Sequence, residues 1–158
     1  MIKLKPFIQS KGFCGPASLK IVMDYYGVHV SESRIAKIAR ASREEGSTAK
    51  GLIAAANYFG FNTFLKDSST LADIKSFIKK KIPVIVDWFY EDGGHYSVVA
   101  DIKRDEVLLF DPALTSCKRK MSKEIFMRVW FDFPNSYIKV PKELILRRML
   151  VLTPKNAK

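Results

Sequence analysis

The spacing of the apolar residues changes near residue 81, and this change constrains the fold more than any other feature. Before it, apolar residues recur at helical spacing in four segments. After it, short runs rich in β-branched and aromatic residues alternate with turn residues, which is typical of antiparallel strands. We therefore predict an α+β fold in which N-terminal helices pack on a C-terminal, mostly antiparallel β-sheet.

The same patterns predict the bounds of each element. The predicted helices span residues 14–26, 32–41, 49–58, 71–80 and 122–130. The predicted strands span residues 82–90, 95–102, 107–111 and 147–152, with turns at 91–94 and 103–106. Four helices begin after a hydroxyl residue that serves as an N-cap, namely Ser31, Thr48, Thr70 and Ser122.

The length of 158 residues suits one domain, and no internal repeat or low-complexity linker divides the chain. We expect a single domain over residues 1–158, mainly helical in 1–80 and mainly sheet in 81–158. Two cysteines are too few for a disulfide framework and suit a reducing compartment. No apolar run has the length of a signal peptide or a bilayer span, so we expect a cytoplasmic protein without a membrane span.

The net charge of +11 is concentrated near the C-terminus, where residues 118–158 hold 11 Lys or Arg against 3 Asp or Glu. Such a basic face either binds an anionic partner or is simply solvated, and both interpretations stay open. We expect no nucleic-acid partner, because the basic residues match no nucleic-acid-binding motif. We also expect no metal and no cofactor, since neither a Cys/His cluster nor a glycine-rich phosphate loop is present.

Cys14 stands directly before Gly15 and Pro16 at the start of the first predicted helix. The unpaired N–H groups and the positive dipole end of a helix N-terminus favour a thiolate, which is the reactive form of cysteine. The other interpretation is a small buried apolar residue. Gln9, five residues upstream, could supply a side-chain amide donor that acts together with the Cys14 backbone N–H as an oxyanion hole.

A nucleophilic cysteine needs a base, and the base needs a group that orients it. His29 lies in a turn between two helices, whereas His95 stands where the predicted turn at Gly93 and Gly94 meets a strand. Asp111 ends the next strand, sixteen residues later. It could accept a hydrogen bond from the His95 ring. Cys117 has no base candidate beside it in the sequence, so we interpret it as a bystander.

The pairing of the two strands tests this assignment. Side chains alternate between the faces of a sheet, so His95 and Asp111 share a face only if paired residue numbers have an even sum. A plain two-residue turn at Arg104 and Asp105 would give an odd sum. We therefore predict an odd-length loop or a β-bulge, with the Asp111 carboxylate within hydrogen-bond reach of the His95 ring.

The segments 9–19, 25–27, 93–99 and 107–112 resemble the double-glycine leader peptidases. These are the bacteriocin-processing family of papain-like cysteine peptidases, usually found at the N-terminus of ATP-driven peptide exporters. The resemblance covers about residues 7–115 and implies a papain-like fold. It also implies that Cys14 is the nucleophile, His95 the base, Asp111 the orienting carboxylate and Gln9 the oxyanion donor. We expect a stand-alone domain, because the exporter's membrane spans and nucleotide-binding domain are absent from the sequence.

The preferred hypothesis is a cysteine peptidase that hydrolyses a peptide or protein substrate, and the resemblance implies cleavage after small residues of a leader-like peptide. Two alternatives stay open. A papain-like amidase, deamidase or transpeptidase would use the same four residues. A non-catalytic, peptidase-like binding module would instead use the basic face to hold its partner.

Overall fold

The structure is a computed structural model that describes residues 1–156. In this part of the chain five α-helices and eight strands form. The helices are α1 (Cys14–Tyr25), α2 (Glu32–Ala39), α3 (Ala49–Tyr58), α4 (Leu71–Lys79) and α5 (Lys123–Val129). The strands are β1 (Phe61–Lys66), β2 (Val84–Tyr90), β3 (Gly93–Ile102), β4 (Glu106–Phe110), β5 (Lys118–Ser122), β6 (Phe131–Asp132), β7 (Ile145–Leu146) and β8 (Arg148–Pro154).

The helix starts lie where the capping residues predict them. The side chains of Ser31, Thr48, Thr70 and Ser122 each accept a hydrogen bond from the backbone N–H three residues later. Each bond satisfies one of the N–H groups that the first turn of a helix leaves unpaired. All four predicted caps are confirmed, because capping depends only on residues within one turn.

Six strands form one antiparallel sheet in the order β1-β8-β2-β3-β4-β5, and β6 pairs with β7 in a separate two-stranded sheet. Helix α1 packs against β3 and also contacts α2 and α3. The hydrophobic core lies between these helices and the sheet. The predicted α+β fold, with helices packed on a mostly antiparallel sheet, is confirmed. No helix in residues 1–156 is both long and apolar enough to cross a bilayer.

The strands that the sequence did not predict include both edges of the large sheet. Within residues 1–156, β1 pairs with β8 alone and β5 pairs with β4 alone. An edge strand buries little of its surface and often carries charged residues, so its sequence lacks the alternation of a half-buried strand. The residues of β5 alternate between exposed and half-buried, but most of them are basic, so polar and apolar residue types do not alternate along the strand. Its edge position therefore explains why it was missed.

The predicted turn at 91–94 is wrong in its bounds. Gly93 and Gly94 lie inside β3 and pair with Tyr90 and Phe89 of β2. The turn consists of Glu91 and Asp92 alone, and Glu91 adopts a left-handed backbone conformation with φ of 54°. His95 therefore stands within a strand rather than at its first residue.

Candidate active site

Strands β3 and β4 pair in two registers that are separated by a β-bulge. The shift falls between Val99 and Asp101, where β3 carries one extra residue. Without it, the register near the turn would direct His95 and Asp111 to opposite faces of the sheet. The predicted bulge is confirmed, and the two side chains meet on the same face.

The Asp111 carboxylate is completely buried and accepts three hydrogen bonds. His95 Nε2 lies 2.6 Å from Oδ1, and the backbone N–H of Ala113 donates to the same oxygen at 3.0 Å. Arg119 Nε donates to Oδ2 at 2.7 Å. Burial acts to raise the pKa of Asp111, but the bonds from His95 and Arg119 outweigh it and hold the pKa below its usual value.

His95 is nearly buried between two aromatic rings. Trp88 meets it edge-on at 5.4 Å, and the ring of Tyr90 lies 5.5 Å away. Burial disfavours a charged imidazole, but the hydrogen bond that the ring donates to the Asp111 carboxylate and the nearby Cys14 sulfur raise the pKa of His95 to about 9. Since Nε2 is engaged by Asp111, Nδ1 is the ring nitrogen that remains for Cys14. The structure thus brings Cys14, His95 and Asp111 together.

Cys14 is the first residue of α1 and is half-buried. No side chain caps the start of this helix, and no acidic residue lies in its first turn. The N–H groups of the first turn therefore receive no hydrogen bond from a capping side chain. Glycine is required at position 15, since a Cβ there would lie 2.8 Å from the Ser47 hydroxyl. The loop that precedes α3 packs directly against the start of α1.

Gln9 lies beside the segment that follows Asp111, because its backbone N–H donates to the Pro112 carbonyl at 2.9 Å. Its side-chain nitrogen donates to the Ser10 carbonyl at 3.3 Å. An amide nitrogen has two hydrogens, so one donor remains for another acceptor. The structure thus tethers Gln9 to the Asp111 segment and leaves part of its donor capacity for a bound group.

Cys117 and Arg119 flank the far side of Asp111. Cys117 is buried, and its thiol donates to the Phe7 carbonyl at 3.4 Å. Burial raises the pKa of Cys117, which agrees with its interpretation as a bystander. The contact of Arg119 with Asp111 was missed, because β5 was not predicted and nothing in the local sequence distinguishes Arg119 from the lysines beside it.

A pair of acidic residues, Asp87 and Asp132, forms a second cluster near Cys14. Burial and the neighbouring Asp132 raise the pKa of Asp87 to about 9, and the charge of Cys14 contributes to the same shift. Burial also raises the pKa of Asp132, and the Phe133 N–H, which donates to its Oδ1 at 2.7 Å, opposes that shift. Asp132 rests on Gly94, where a Cβ would lie 2.2 Å from its Oδ2. The sequence did not predict this pair.

Within residues 1–156, no three or more His, Cys, Asp or Glu side chains cluster so that they could hold a metal ion.

Residues 8–133 match the Peptidase C39 family. The mesentericin transport/processing ATP-binding protein MesD of Leuconostoc mesenteroides is 34% identical over 138 residues, which are 82% of this chain but only 18% of that protein. The chain thus spans less than a fifth of that relative. An uncharacterized protein of Methanothermobacter marburgensis is 32% identical over 123 residues, 77% of this chain and 80% of that protein.

Two solved structures share the fold. The peptidase domain of Streptococcus ComA, described as a bi-functional ABC transporter involved in quorum sensing, has a TM-score of 0.75 at 25% identity, with 98% of this chain and 99% of that chain covered. A double glycine motif protease from an AMS/PCAT transporter, solved with its leader peptide, has a TM-score of 0.72 at 23% identity, with 97% and 93% covered. The resemblance in the motifs is confirmed, and the chain belongs to the Peptidase C39 family of cysteine peptidases.

Proposed function

We propose that this chain hydrolyses a peptide bond with Cys14 as nucleophile, His95 as base and Asp111 as the carboxylate that orients His95. The observation that carries the proposal is the buried 2.6 Å bond between His95 and Asp111, with the Cys14 sulfur close enough to raise the pKa of the same ring. A base that is oriented on one side and faces a thiol on the other has the arrangement that activates a nucleophile.

The first half of the reaction forms an acyl-enzyme. The Cys14 thiol passes its proton to His95 Nδ1, and the thiolate attacks the carbonyl carbon of the scissile bond. The carbonyl oxygen becomes an oxyanion, which accepts hydrogen bonds from the Cys14 backbone N–H and the free Gln9 amide hydrogen. When the C–N bond breaks, the leaving amine takes the proton from His95 and a thioester remains.

The second half returns the enzyme to its starting state. His95 takes a proton from water, and the hydroxide attacks the thioester carbon. The C–S bond then breaks, the thiolate of Cys14 regains its proton from His95, and the carboxylic acid product leaves. Throughout, Asp111 holds the imidazole in one orientation and stabilises its charged form.

We propose that the substrate is a leader-like peptide with small residues before the scissile bond. The support comes from relatives: MesD is named as a transport/processing protein, and the double glycine motif protease was solved with a leader peptide. We also propose that residues 1–158 act as a single domain. In support of this, β8 from the end of the chain pairs with β1 from the helical half and with β2 from the sheet half.

The decisive test combines thiol labelling with product analysis. Brief iodoacetamide treatment followed by peptide mapping should label Cys14 faster than the buried Cys117, and His95→Ala should slow labelling of Cys14. Mass spectrometry of a peptide library should show cleavage that Cys14→Ala abolishes. Faster labelling of Cys117, or cleavage that survives Cys14→Ala, would contradict the proposal.

The library also tests the substrate. A preference for small residues at both positions before the cut is expected. Tolerance of Leu or Phe at both positions would remove the leader-like substrate and leave the hydrolase intact. Ligated or deamidated products in place of hydrolysed ones would indicate one of the related acyl-transfer reactions.

A further inference from the structure

Arg119 reaches the candidate catalytic carboxylate from the edge of the sheet. It lies on β5, which pairs with β4, and its Nε donates to Asp111 Oδ2 at 2.7 Å. The opposite carboxylate oxygen, Oδ1, is the one that contacts His95 Nε2. Arg119 and His95 therefore hold the two oxygens of one carboxylate from opposite sides.

The guanidinium also packs on the aromatic rings that enclose His95. Its central carbon lies 4.7 Å from the centre of the Tyr90 ring and 5.5 Å from that of Trp88. Stacking of this kind restricts the planar group, so the Nε–H is held in a constant direction. Arg119 thus contacts both the Asp111 carboxylate and the two aromatic rings that enclose His95.

A completely buried carboxylate is costly to ionise unless a positive charge and hydrogen bonds compensate for the lost water. Arg119 is the permanently charged group in contact with Asp111, whereas His95 changes its charge during the reaction. The two other donors, His95 and the Ala113 N–H, both bind Oδ1. Only Arg119 is bonded to Oδ2 among the described residues.

We propose that Arg119 is a positioning residue for peptide hydrolysis, which keeps Asp111 ionised and holds its carboxylate with Oδ1 on His95 Nε2. The proposal rests on the function proposed above. Arg119 acts through Asp111 and contacts neither the thiol nor the scissile bond. Its removal should therefore alter how turnover depends on pH, and not only how much folded enzyme is present.

Four titratable groups face this pair from the elements around it. His95 comes from β3, Tyr90 from β2, Cys14 from α1, and Cys117 from the segment before β5. The Tyr90 ring packs against the Arg119 guanidinium, and the charge of Asp111 acts on the buried Cys117. None of these groups can replace Arg119, because none carries a permanent positive charge.

The first test measures kcat and KM against pH for Arg119→Met, Arg119→Lys and the control Lys120→Met. Lys120 is exposed on the same strand. In Arg119→Met the acid limb should move to higher pH, and kcat at mildly acidic pH should fall by about tenfold or more, with KM changed by less than about threefold. Arg119→Lys should return the acid limb toward its original position, because it restores the charge. Lys120→Met should match the parent.

The second test repeats Arg119→Met in an Asp111→Asn background, which leaves no buried carboxylate to stabilise. If Arg119 acts through Asp111, the further loss of turnover on removing Arg119 should largely disappear. Equal losses in both backgrounds, or a uniform loss at all pH values with an unmoved acid limb, would overturn the proposal. A comparison of Cys14 labelling in the parent and in His95→Ala tests the proposed function separately. Labelling that does not depend on His95 would refute the proposed function itself, whatever Arg119 does.

Discussion

Two buried aspartates of the candidate site have pKa values that are shifted in opposite directions. Asp111 and Asp87 have only 0% and 2% of their surface exposed. The pKa of Asp111 is nevertheless lowered, whereas that of Asp87 is raised to about 9. Burial alone would raise both values. The difference therefore arises from the groups that each carboxylate contacts.

The partners explain the contrast. Asp111 meets an imidazole, a guanidinium and a backbone N–H, all of which donate to it. Asp87 meets the carboxylate of Asp132, and no protein donor in the described part of the chain reaches its Oδ1. The charge of Arg148 acts in the opposite direction but is outweighed. The candidate site can thus lower the pKa of one buried carboxyl group and raise that of another.

Asp111→Asn should have the largest effect, because an asparagine amide can stabilise the wrong tautomer of His95. We expect turnover to fall by about a thousandfold or more. The free energy of unfolding should change by only about 1–3 kcal/mol, as for a lost charged hydrogen bond. Steady-state kinetics and urea unfolding measure both quantities. Asp105→Asn, in the exposed β3–β4 turn, is the control, and unchanged turnover in Asp111→Asn would refute the assignment.

Gly94→Ala tests the pair of Asp87 and Asp132 by displacing the Asp132 carboxylate from its position against Gly94. The new Cβ would lie 2.2 Å from Asp132 Oδ2, so the carboxylate must move from its present position. We expect a loss of about 1–3 kcal/mol in the free energy of unfolding. The neighbouring Gly93→Ala is a matched control, because a Cβ there meets nothing within 4 Å. Equal stabilities for the two variants would show that Asp132 does not depend on Gly94.

Asp87→Asn should have the smallest effect at neutral pH, because an amide can donate to Asp132 as the protonated acid does. Turnover should stay within about threefold of the parent, since Asp87 bonds to neither His95 nor Asp111. This outcome contrasts directly with that of Asp111→Asn. A loss as large as that of Asp111→Asn would mean that Asp87 belongs to the catalytic machinery. The two aspartates would then not differ in function as we expect.

The same variant should change how stability depends on pH. The pKa of Asp87 is raised from 3.8 to about 9, so the folded protein holds a proton there that the unfolded chain releases. The stability linked to this proton is fully present below about pH 4 and is lost as the pH rises through about 9. Relative to the parent, Asp87→Asn should therefore gain stability between these limits. Urea unfolding at several pH values measures the difference.

His95 must be considered in the same experiment. Its pKa is raised from 6.5 to about 9, so its contribution to stability is complete below about pH 6.5 and is lost on the way to pH 9. Both proteins contain His95, so the difference between them reports on Asp87 together with Asp132, whose pKa is coupled to it. A difference in unfolding free energy that does not vary with pH would contradict the raised pKa of Asp87.

Much of this molecule could be predicted from local sequence. The caps at Ser31, Thr48, Thr70 and Ser122 determine where helices start, and the Cys-Gly-Pro segment places Cys14 at a helix mouth. The need for His95 and Asp111 to share a face was enough to predict an odd-length loop or a bulge, and the structure has the bulge. These features depend on residues within one turn or one hairpin, where spacing alone decides geometry.

Only the tertiary structure decided which groups surround each acid. Arg119 reaches Asp111 from an edge strand without a clear strand pattern, and Asp132 reaches Asp87 from the two-residue strand β6. Ionisation depends on the charges and donors that the fold brings within a few ångströms, and separate segments supply them. The sequence alone therefore determined the four candidate site residues and the class of fold. The opposite pKa shifts of two similarly buried aspartates depend on contacts that only the folded molecule makes.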